Sequence, residues 1–306
     1  MERGETPEQL EREALASLSP EMGARAKRIE EEMDRALAGG KDTQRLYADD
    51  CREGQYAPER AALQRQIVDD IYDKARDVPC ERKAIIMGGL GGSGKTTLLN
   101  MPRYARLFGV EEMLRNFLVI NRDDLKDEII ERDRQSDQEL FPRVDGLTPM
   151  EHSALIHEES SQLADMLAER AMRDGKNIIH DTTLGEDDKS DKLIGDLTAH
   201  GYRNEDITGV FIDVPVKQSI KAALDRWVAG QERYERGEDP DGGRFVPPRI
   251  AAEKLYPTYA YESKNRACFE EAKERFGEWY LFTNEVDEQG NYHMKLVDSK
   301  HGRPGR

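Results

Sequence analysis

Residues 84–97, AIIMGGLGGSGKTT, decide the fold of this chain. A short apolar run meets a glycine-rich turn, in which Gly89, Gly94, Lys95 and Thr96 fill the fixed positions of the pattern G-x-x-x-x-G-K-[ST]. Because glycine has no Cβ atom, successive backbone N–H groups can turn inward on a phosphate. A helix that begins near Thr96 points its positive N-terminal end at the same anion. The stretch therefore predicts a phosphate-binding loop (P-loop) between a buried strand and a helix.

The side chains of this loop suit a nucleotide with a bound magnesium ion. Lys95 supplies a mobile positive charge for the β- and γ-phosphates, and the Thr96 hydroxyl is a suitable ligand for Mg²⁺. The residues of the loop that we expect to bind the nucleotide are Gly89, Gly91, Gly92, Ser93, Gly94, Lys95, Thr96 and Thr97.

Composition limits the partners and the compartment. The 306 residues carry a net charge of −16 and no long Lys/Arg block, which disfavours unaided binding to nucleic acid or to anionic membranes. The three cysteines form no C-x-x-C pair, which is typical of a reducing compartment. The charged N-terminus is not a secretory signal, and no apolar run is long enough to span a membrane. These features predict a soluble, cytoplasmic protein with no membrane partner.

The chain divides into three regions. Residues 1–80 are charged and lack any strand-like run, so we predict a helical N-terminal region there. This region is either a helical layer packed beside the core or a regulatory, partner-binding appendage. Residues 81–298 alternate short apolar strands with helices and form the predicted P-loop kinase domain, and residues 299–306 form a disordered tail.

The alternation of strands and helices predicts an α/β fold, a doubly wound, mainly parallel sheet with helices on both faces. In such sheets, ligands bind beyond the carboxyl ends of the strands. Polar clusters follow three predicted strand ends, at residues 88–97, 121–124 and 181–183. We therefore expect these clusters to converge on a single site.

Carboxylates at these strand ends are the candidate catalytic groups. Asp123 is placed to act as a general base that accepts the proton of an attacking hydroxyl, and Asp124 suits the N-cap of the next helix. Asp181 is a candidate Mg²⁺ ligand, with capping as the alternative. Thr182 is a candidate pocket hydroxyl, and His180 is interpreted as a partly buried strand residue.

Two arginines and a glutamate complete the candidate set. Arg226, on a helix, and Arg244, in a Gly/Pro-rich loop, are placed to clamp the triphosphate, since phosphoryl transfer needs charge stabilisation. The alternative for each arginine is a solvated surface charge. Glu159, in the sequence HEESS, is either part of a solvated helical face or a substrate contact.

Several stretches together resemble the zeta toxin family of P-loop kinases. The loop GGLGGSGKTT is similar to the phosphate loop of that family, and NRDDLK matches its Asp and following Lys at Asp123 and Lys126. NIIHDTTL corresponds to its substrate-contacting strand end, and Arg226 and Arg244 resemble its two phosphate-clamping arginines. The stretches YAPERAALQRQIVDDIY, at 56–72, and HEESS also resemble family members.

The resemblance implies a kinase that uses ATP and Mg²⁺ to phosphorylate the 3′-hydroxyl of UDP-N-acetylglucosamine. It implies that Asp123 is the base, that Lys126 helps to hold the substrate, and that an antitoxin protein is a partner. At the substrate-contacting strand end the family has Glu, Gly and Thr, where this chain has His180, Asp181 and Thr182. That end looks more like the 5′-kinase domain of bacteriophage polynucleotide kinases.

Two alternatives to a zeta-toxin-type kinase therefore stay open. One is a polynucleotide or nucleoside 5′-hydroxyl kinase with the same machinery, the only reading that makes nucleic acid a partner. The other is a nucleotide-binding regulator whose P-loop acts as a switch and phosphorylates no exogenous acceptor.

Overall fold

A six-stranded sheet lies at the centre of the residues that the computed structural model describes, namely 5–49, 55–136, 139–256, 261–287, 289 and 291–301. The strands are β1 (Ala84–Gly88), β2 (Leu118–Asn121), β3 (Ile178–Asp181), β4 (Ile207–Asp213), β5 (Glu278–Val286) and β6 (Tyr292–Ser299). Their order is β2-β3-β1-β4-β5-β6; β6 runs antiparallel to β5, and the other neighbours are parallel. This confirms the predicted mainly parallel α/β fold.

Helices flank the sheet. They are α1 (Pro7–Ala16), α2 (Pro20–Ala38), α3 (Thr43–Leu46), α4 (Pro58–Lys74), α5 (Lys95–Leu99), α6 (Pro102–Ala105), α7 (Met113–Asn116), α8 (Arg122–Gln135), α9 (His157–Arg173), α10 (Lys189–Ala199), α11 (Val216–Glu235), α12 (Pro248–Ala252) and α13 (Lys264–Ala272). No helix within the described ranges is both long and apolar enough to cross a membrane.

The central strand β1 shows why short apolar runs form this sheet. Each of its residues is buried, and their side chains point alternately to the two faces. Ile86 joins a hydrophobic cluster on one face, and Ile85 and Met87 join a second cluster on the other. Burial on both faces leaves no polar positions along the strand, and the polar residues therefore collect at its carboxyl end.

The N-terminal helices share the core of the sheet domain. Leu10 of α1 and Ile29 and Met33 of α2 belong to the same hydrophobic cluster as Ile85. Ile67 of α4 belongs to the cluster on the opposite face. The described helices α1 and α2 thus pack against one face of the sheet domain.

The C-terminal boundary of the sheet lies later than predicted. Strand β6 extends through Ser299, and Lys300 donates from Nζ to the carbonyl of Phe276 at 2.8 Å. The predicted tail is therefore wrong for its first residues, because pairing with β5 continues into them. Residues 302–306 of that tail lie outside the described residues.

A buried ion pair ties α2 to the rest of the protein. Arg25 donates from Nε and Nη2 to the two carboxylate oxygens of Glu151, at 2.7 and 2.6 Å. The Glu151 side chain is fully buried, and it also accepts hydrogen bonds from Trp227 and Gln231 of α11. Three segments that are distant in sequence therefore meet at one carboxylate.

Removing one partner of this pair should destabilise the fold. We expect Arg25→Ala to lower the free energy of unfolding by about 2 kcal/mol or more, because it leaves a buried carboxylate without its cation. Lys27→Ala, at an exposed position of the same helix, should change it by less than about 0.5 kcal/mol. Urea denaturation measures both values. Equal stability of the two variants would contradict the integration of α2 into the core.

Candidate active site

The P-loop connects β1 to α5, and its backbone requires glycine. Gly89 and Gly94 have φ angles of 136° and 99°, which side-chain-bearing residues rarely adopt. A Cβ atom on Gly89 would lie 2.7 Å from the carbonyl oxygen of Ile212, and one on Gly94 would lie 2.6 Å from Nδ2 of Asn284. The tight packing behind the loop therefore fixes its path and leaves its other side to the cleft.

Lys95 folds back over the loop that it follows. Its Nζ atom donates to the carbonyl oxygens of Gly89 and Leu90, at 2.9 and 3.3 Å, and lies 3.8 Å from Oδ1 of Asp181. The ammonium group of Lys95 therefore lies beside the P-loop, where the two backbone carbonyl oxygens hold it.

The amide of Asn121 joins the ends of β2 and β3. Its Oδ1 accepts from the backbone N–H of Asp123 at 2.8 Å, and its Nδ2 donates to Oδ2 of Asp181 at 2.9 Å. Asn121 is therefore the N-cap of α8, and the predicted cap at Asp124 is wrong, because α8 begins at Arg122. The sequence reasoning missed this residue, although asparagine is among the preferred N-cap residues.

Two cations surround the carboxylate of Asp123. Lys126 Nζ lies 3.2 Å from its Oδ1, and Arg244 Nη1 lies 2.9 Å from its Oδ2. Partial desolvation acts to raise the pKa of Asp123, whose side chain is still 56% exposed, but the attraction of Arg244 and Lys126 outweighs it and lowers the pKa below its ordinary value. Burial also lowers the pKa of Lys126, against the opposing pull of Asp123. Asp123 is therefore an ionised carboxylate at neutral pH.

Asp181 has a carboxylate oxygen, Oδ1, that accepts no hydrogen bond from a described residue and faces Lys95 Nζ at 3.8 Å. Its side chain is 5% exposed. Burial raises the pKa of this group, and Lys95 opposes the shift. A buried carboxylate oxygen without a hydrogen-bond donor is the kind of ligand that a hard cation takes, so Asp181 is a residue that could hold Mg²⁺, and Thr96 lines the same cavity.

One cavity of about 1240 Å³ contains most of the predicted site. The predicted residues that line it are Gly91, Gly92, Gly94, Lys95, Thr96, Thr97, Asp123, Lys126, Asp181, Thr182 and Arg226. Four other predicted residues do not line the described part of this cavity, namely Gly89, Ser93, Glu159 and Arg244. The strand ends therefore converge as the sequence pattern predicts.

The predicted substrate contact of Glu159 is wrong. Its side chain is 1% exposed, and it accepts from Nε and Nη2 of Arg60 at 2.7 and 2.6 Å. Gln64 donates to the same carboxylate at 2.9 Å. The side chain faces α4 rather than the cavity, so Glu159 joins α9 to α4.

The two predicted clamping arginines occupy different places. Arg226 is exposed and lines the cavity from α11. Arg244 instead pairs with Asp123 and with Asp127, one turn further along α8, and donates from Nη2 to the Asp123 carbonyl at 3.1 Å. In this structure, Arg244 is a partner of the predicted base and does not line the phosphate site.

His180 lines the cavity as well. The ring is 8% exposed, and burial, with a contribution from Lys189, lowers its pKa to about 4. The imidazole is therefore neutral at physiological pH. The strand pattern indicated its burial but not its position on the wall of a cavity.

The family model described as Zeta toxin matches residues 68–259, more than half of the chain, whereas the comparison with curated proteins found no match. The fold is similar to that of AvrRxo1-ORF1:AvrRxo1-ORF2 with sulphate ions, with 21% identity and a TM-score of 0.57 over 85% of this chain and 76% of that chain.

Two further solved structures are similar. One is AvrRxo1-ORF1:-ORF2 with ATP, with 19% identity and a TM-score of 0.53 over 84% of this chain and 70% of that chain. The other is from the PezAT chromosomal toxin-antitoxin system of Streptococcus pneumoniae, with 15% identity and a TM-score of 0.47 over 78% of this chain and 81% of that chain. On the extent of the family match, the chain belongs to the zeta toxin family and is a P-loop kinase.

Proposed function

We propose that the protein transfers the γ-phosphoryl group of ATP to a hydroxyl of a small acceptor of the UDP-N-acetylglucosamine type. The observation that carries this proposal is the presence of Lys95, Asp123 and Asp181 on the wall of one cavity. A cation for phosphates, a carboxylate base and a metal ligand are the groups that phosphoryl transfer to an alcohol needs.

In the proposed step, Asp123 accepts the proton of the acceptor hydroxyl while the hydroxyl oxygen forms a bond to the γ-phosphorus. The bond between that phosphorus and the bridging oxygen breaks, and ADP leaves with the electron pair. The lowered pKa of Asp123 keeps the carboxylate ionised before the acceptor arrives. Lys126 holds Asp123 in place and also lines the cavity.

The P-loop side of the cavity binds the donor. Lys95 exchanges the carbonyls of Gly89 and Leu90 for the β- and γ-phosphates, and the loop N–H groups bind the same oxygens. Thr96 and Asp181 would hold Mg²⁺, which neutralises charge on the phosphates. Within the described ranges no group of three His, Cys, Asp or Glu residues could hold a metal.

The arginines take separate roles in this proposal. Arg226 lines the cavity and stabilises the charge that spreads over the transferring phosphoryl group. Arg244 positions Asp123 through the ion pair, and it reaches the phosphates only if that pair opens. Thr182 is a further contact for the acceptor.

We also propose a protein antitoxin as partner. The ATP in one similar structure supports the choice of ATP as the phosphoryl donor.

Labelled ATP distinguishes the acceptors. We expect phosphate to appear on UDP-N-acetylglucosamine or a similar small molecule when this compound, a 5′-hydroxyl oligonucleotide and no acceptor are tested in parallel. Lys95→Ala should abolish every transfer, because it removes the phosphate-binding cation. Label found on the oligonucleotide alone, or released only as free phosphate, would overturn the proposed acceptor.

Asp123→Ala tests the base. We expect it to reduce acceptor phosphorylation by about 10²-fold or more while ATP still binds, since a general base contributes on this scale. Asp124→Ala is the matched control, because Asp124 is the adjacent carboxylate in the same helical turn. Initial rates and nucleotide affinity are measured for both variants. If the two variants lost activity to the same extent, Asp123 would not be the base.

Arg244→Ala tests the origin of the lowered pKa. Without Arg244, burial of Asp123 is less opposed, so its pKa should rise and the acid limb of kcat/KM should move to higher pH. The wild type, in which the pKa of Asp123 is lowered, should keep this carboxylate ionised further into the acid range than Arg244→Ala does. Arg249→Ala, which removes an arginine paired with Glu30 and Asp34, is the control. Profiles that coincide for wild type and Arg244→Ala would exclude this electrostatic role.

A further inference from the structure

Two glycines pack the loop that carries Arg244 against α11. A Cβ atom on Gly230 of α11 would lie 2.7 Å from the backbone nitrogen of Gly243. A Cβ atom on Gly243 would in turn lie 2.8 Å from the Cα atom of Trp227. Neither glycine is among the described residues with a positive φ angle, so glycine is needed here for the close approach of two backbones.

The residues on both sides of Arg244 are fixed by contacts with α11. Gly243, which precedes Arg244, lies against Gly230. Phe245, which follows Arg244, packs its ring on that of Trp227, with 4.7 Å between the ring centroids. Phe245 is 5% exposed, and Trp227 is fully buried. Displacing the backbone at Arg244 would therefore break buried contacts on either side of it.

Hydrogen bonds to one further segment hold the same loop. Gln231 of α11 is 2% exposed and donates from Nε2 to Oε1 of Glu151 at 2.8 Å and to Oγ1 of Thr148 at 3.2 Å. The backbone N–H of Met150, in that segment, donates to the carbonyl of Asp241 at 2.9 Å. The loop is therefore joined to residues 148–151, and these residues are joined to α11.

We call the α11 and loop residues in these contacts the Arg244 seat; they are Trp227, Gly230, Gln231, Gly243 and Phe245. From this seat the guanidinium reaches α8, where Nη1 lies 2.9 Å from Oδ2 of Asp123 and Nη2 pairs with Asp127. A long side chain loses conformational entropy when an ion pair holds it, and a backbone that is already fixed leaves less freedom to lose. No residue of the seat lines the described part of the cavity.

We propose that the Arg244 seat is a positioning element for catalysis, which places the guanidinium of Arg244 on the carboxylate of Asp123. Gly230 is its central residue, because a side chain at this position would displace the loop that carries Arg244. The seat acts on the reaction through Arg244, since its own residues lie outside the described cavity wall. This inference rests on the proposed function for the role of Asp123 as base, but the ion pair that the seat holds is measurable without any transfer.

Nitrogen-15 NMR of the full chain, labelled at arginine, tests the seat without turnover. Rotation about the Nε–Cζ bond is slow in a guanidinium held by carboxylates, so its two Nη atoms give separate signals. Arg244→Lys assigns these signals. We expect Gly230→Ala to lose them, whereas Gly195→Ala, at a helical glycine of α10 with open space around it, should keep them. Arg60, whose buried pair with Glu159 joins α4 to α9, is the internal control for folding.

The pH profile of kcat/KM connects the seat to the reaction. We expect the acid limb to move to higher pH in Gly230→Ala as in Arg244→Ala, because both variants weaken the attraction that lowers the pKa of Asp123. The double variant should match Arg244→Ala alone, since the glycine acts through the arginine. Phe245→Leu, which stays apolar but loses the ring contact with Trp227, should move the limb in the same direction by a smaller amount.

The other titratable groups that act on Asp123 are Asp124, Lys126 and Asp127 of α8, Lys95 of α5, His157 of α9 and Asp181 of β3. None of them belongs to the seat, so each is present in wild type and in every seat variant.

Each result decides one of the two proposals. Separate Arg244 signals that persist in Gly230→Ala, or that the wild type lacks, overturn the seat. If Gly230→Ala also loses the Arg60 signals, it is misfolded, and Phe245→Leu decides by the same signals. A double variant whose acid limb lies beyond that of Arg244→Ala rejects positioning through the arginine. Loss of the Arg244 signals alone, with an acid limb that does not move or with no transfer to any acceptor, supports the seat and rejects the proposed function.

Discussion

The geometry of the site depends on one side-chain amide. Asn121 accepts from the backbone N–H of Asp123 and donates to the carboxylate of Asp181, so a single planar group joins the start of α8 to the proposed metal ligand. The two bonds need opposite ends of the amide, which fixes its orientation. They also follow from sheet register, because Asn121 is the direct neighbour of Asp181 across β2 and β3. The regular pairing of β2 with β3 thereby determines which side chains lie side by side at the carboxyl edge of the sheet.

The structural features that could be predicted from the sequence are those set by consecutive residues or by a periodic pattern of apolar residues. The P-loop spacing, the short apolar strands and the polar residues after each strand were enough to predict a doubly wound sheet and a site at its carboxyl edge, and Lys95, Asp123 and Asp181 do line one cavity. These features are visible because a backbone turn or a buried strand constrains consecutive residues.

What could not be predicted depends on partners that are far apart in the chain. Glu159 looks like a helical surface residue until Arg60, 99 positions earlier, is packed against it. Arg244 was expected at the phosphates, and only the tertiary structure shows the carboxylates of Asp123 and Asp127 in its reach. The cap at Asn121 was missed for a different reason, because three residues within four positions at the strand end, Asn121, Asp123 and Asp124, each suit an N-cap.

The ion pair between Arg244 and Asp123 has a consequence for the rate at which ATP is hydrolysed without an acceptor. In the structure, both oxygens of the proposed base are occupied by cations, one from Arg244 and one from Lys126. For a lone water molecule beside bound ATP, the Asp123 carboxylate is a poor proton acceptor, because a water molecule competes weakly with Arg244 and Lys126 for its oxygens. The enzyme would thus be protected against futile hydrolysis by the same contacts that hold its base in place.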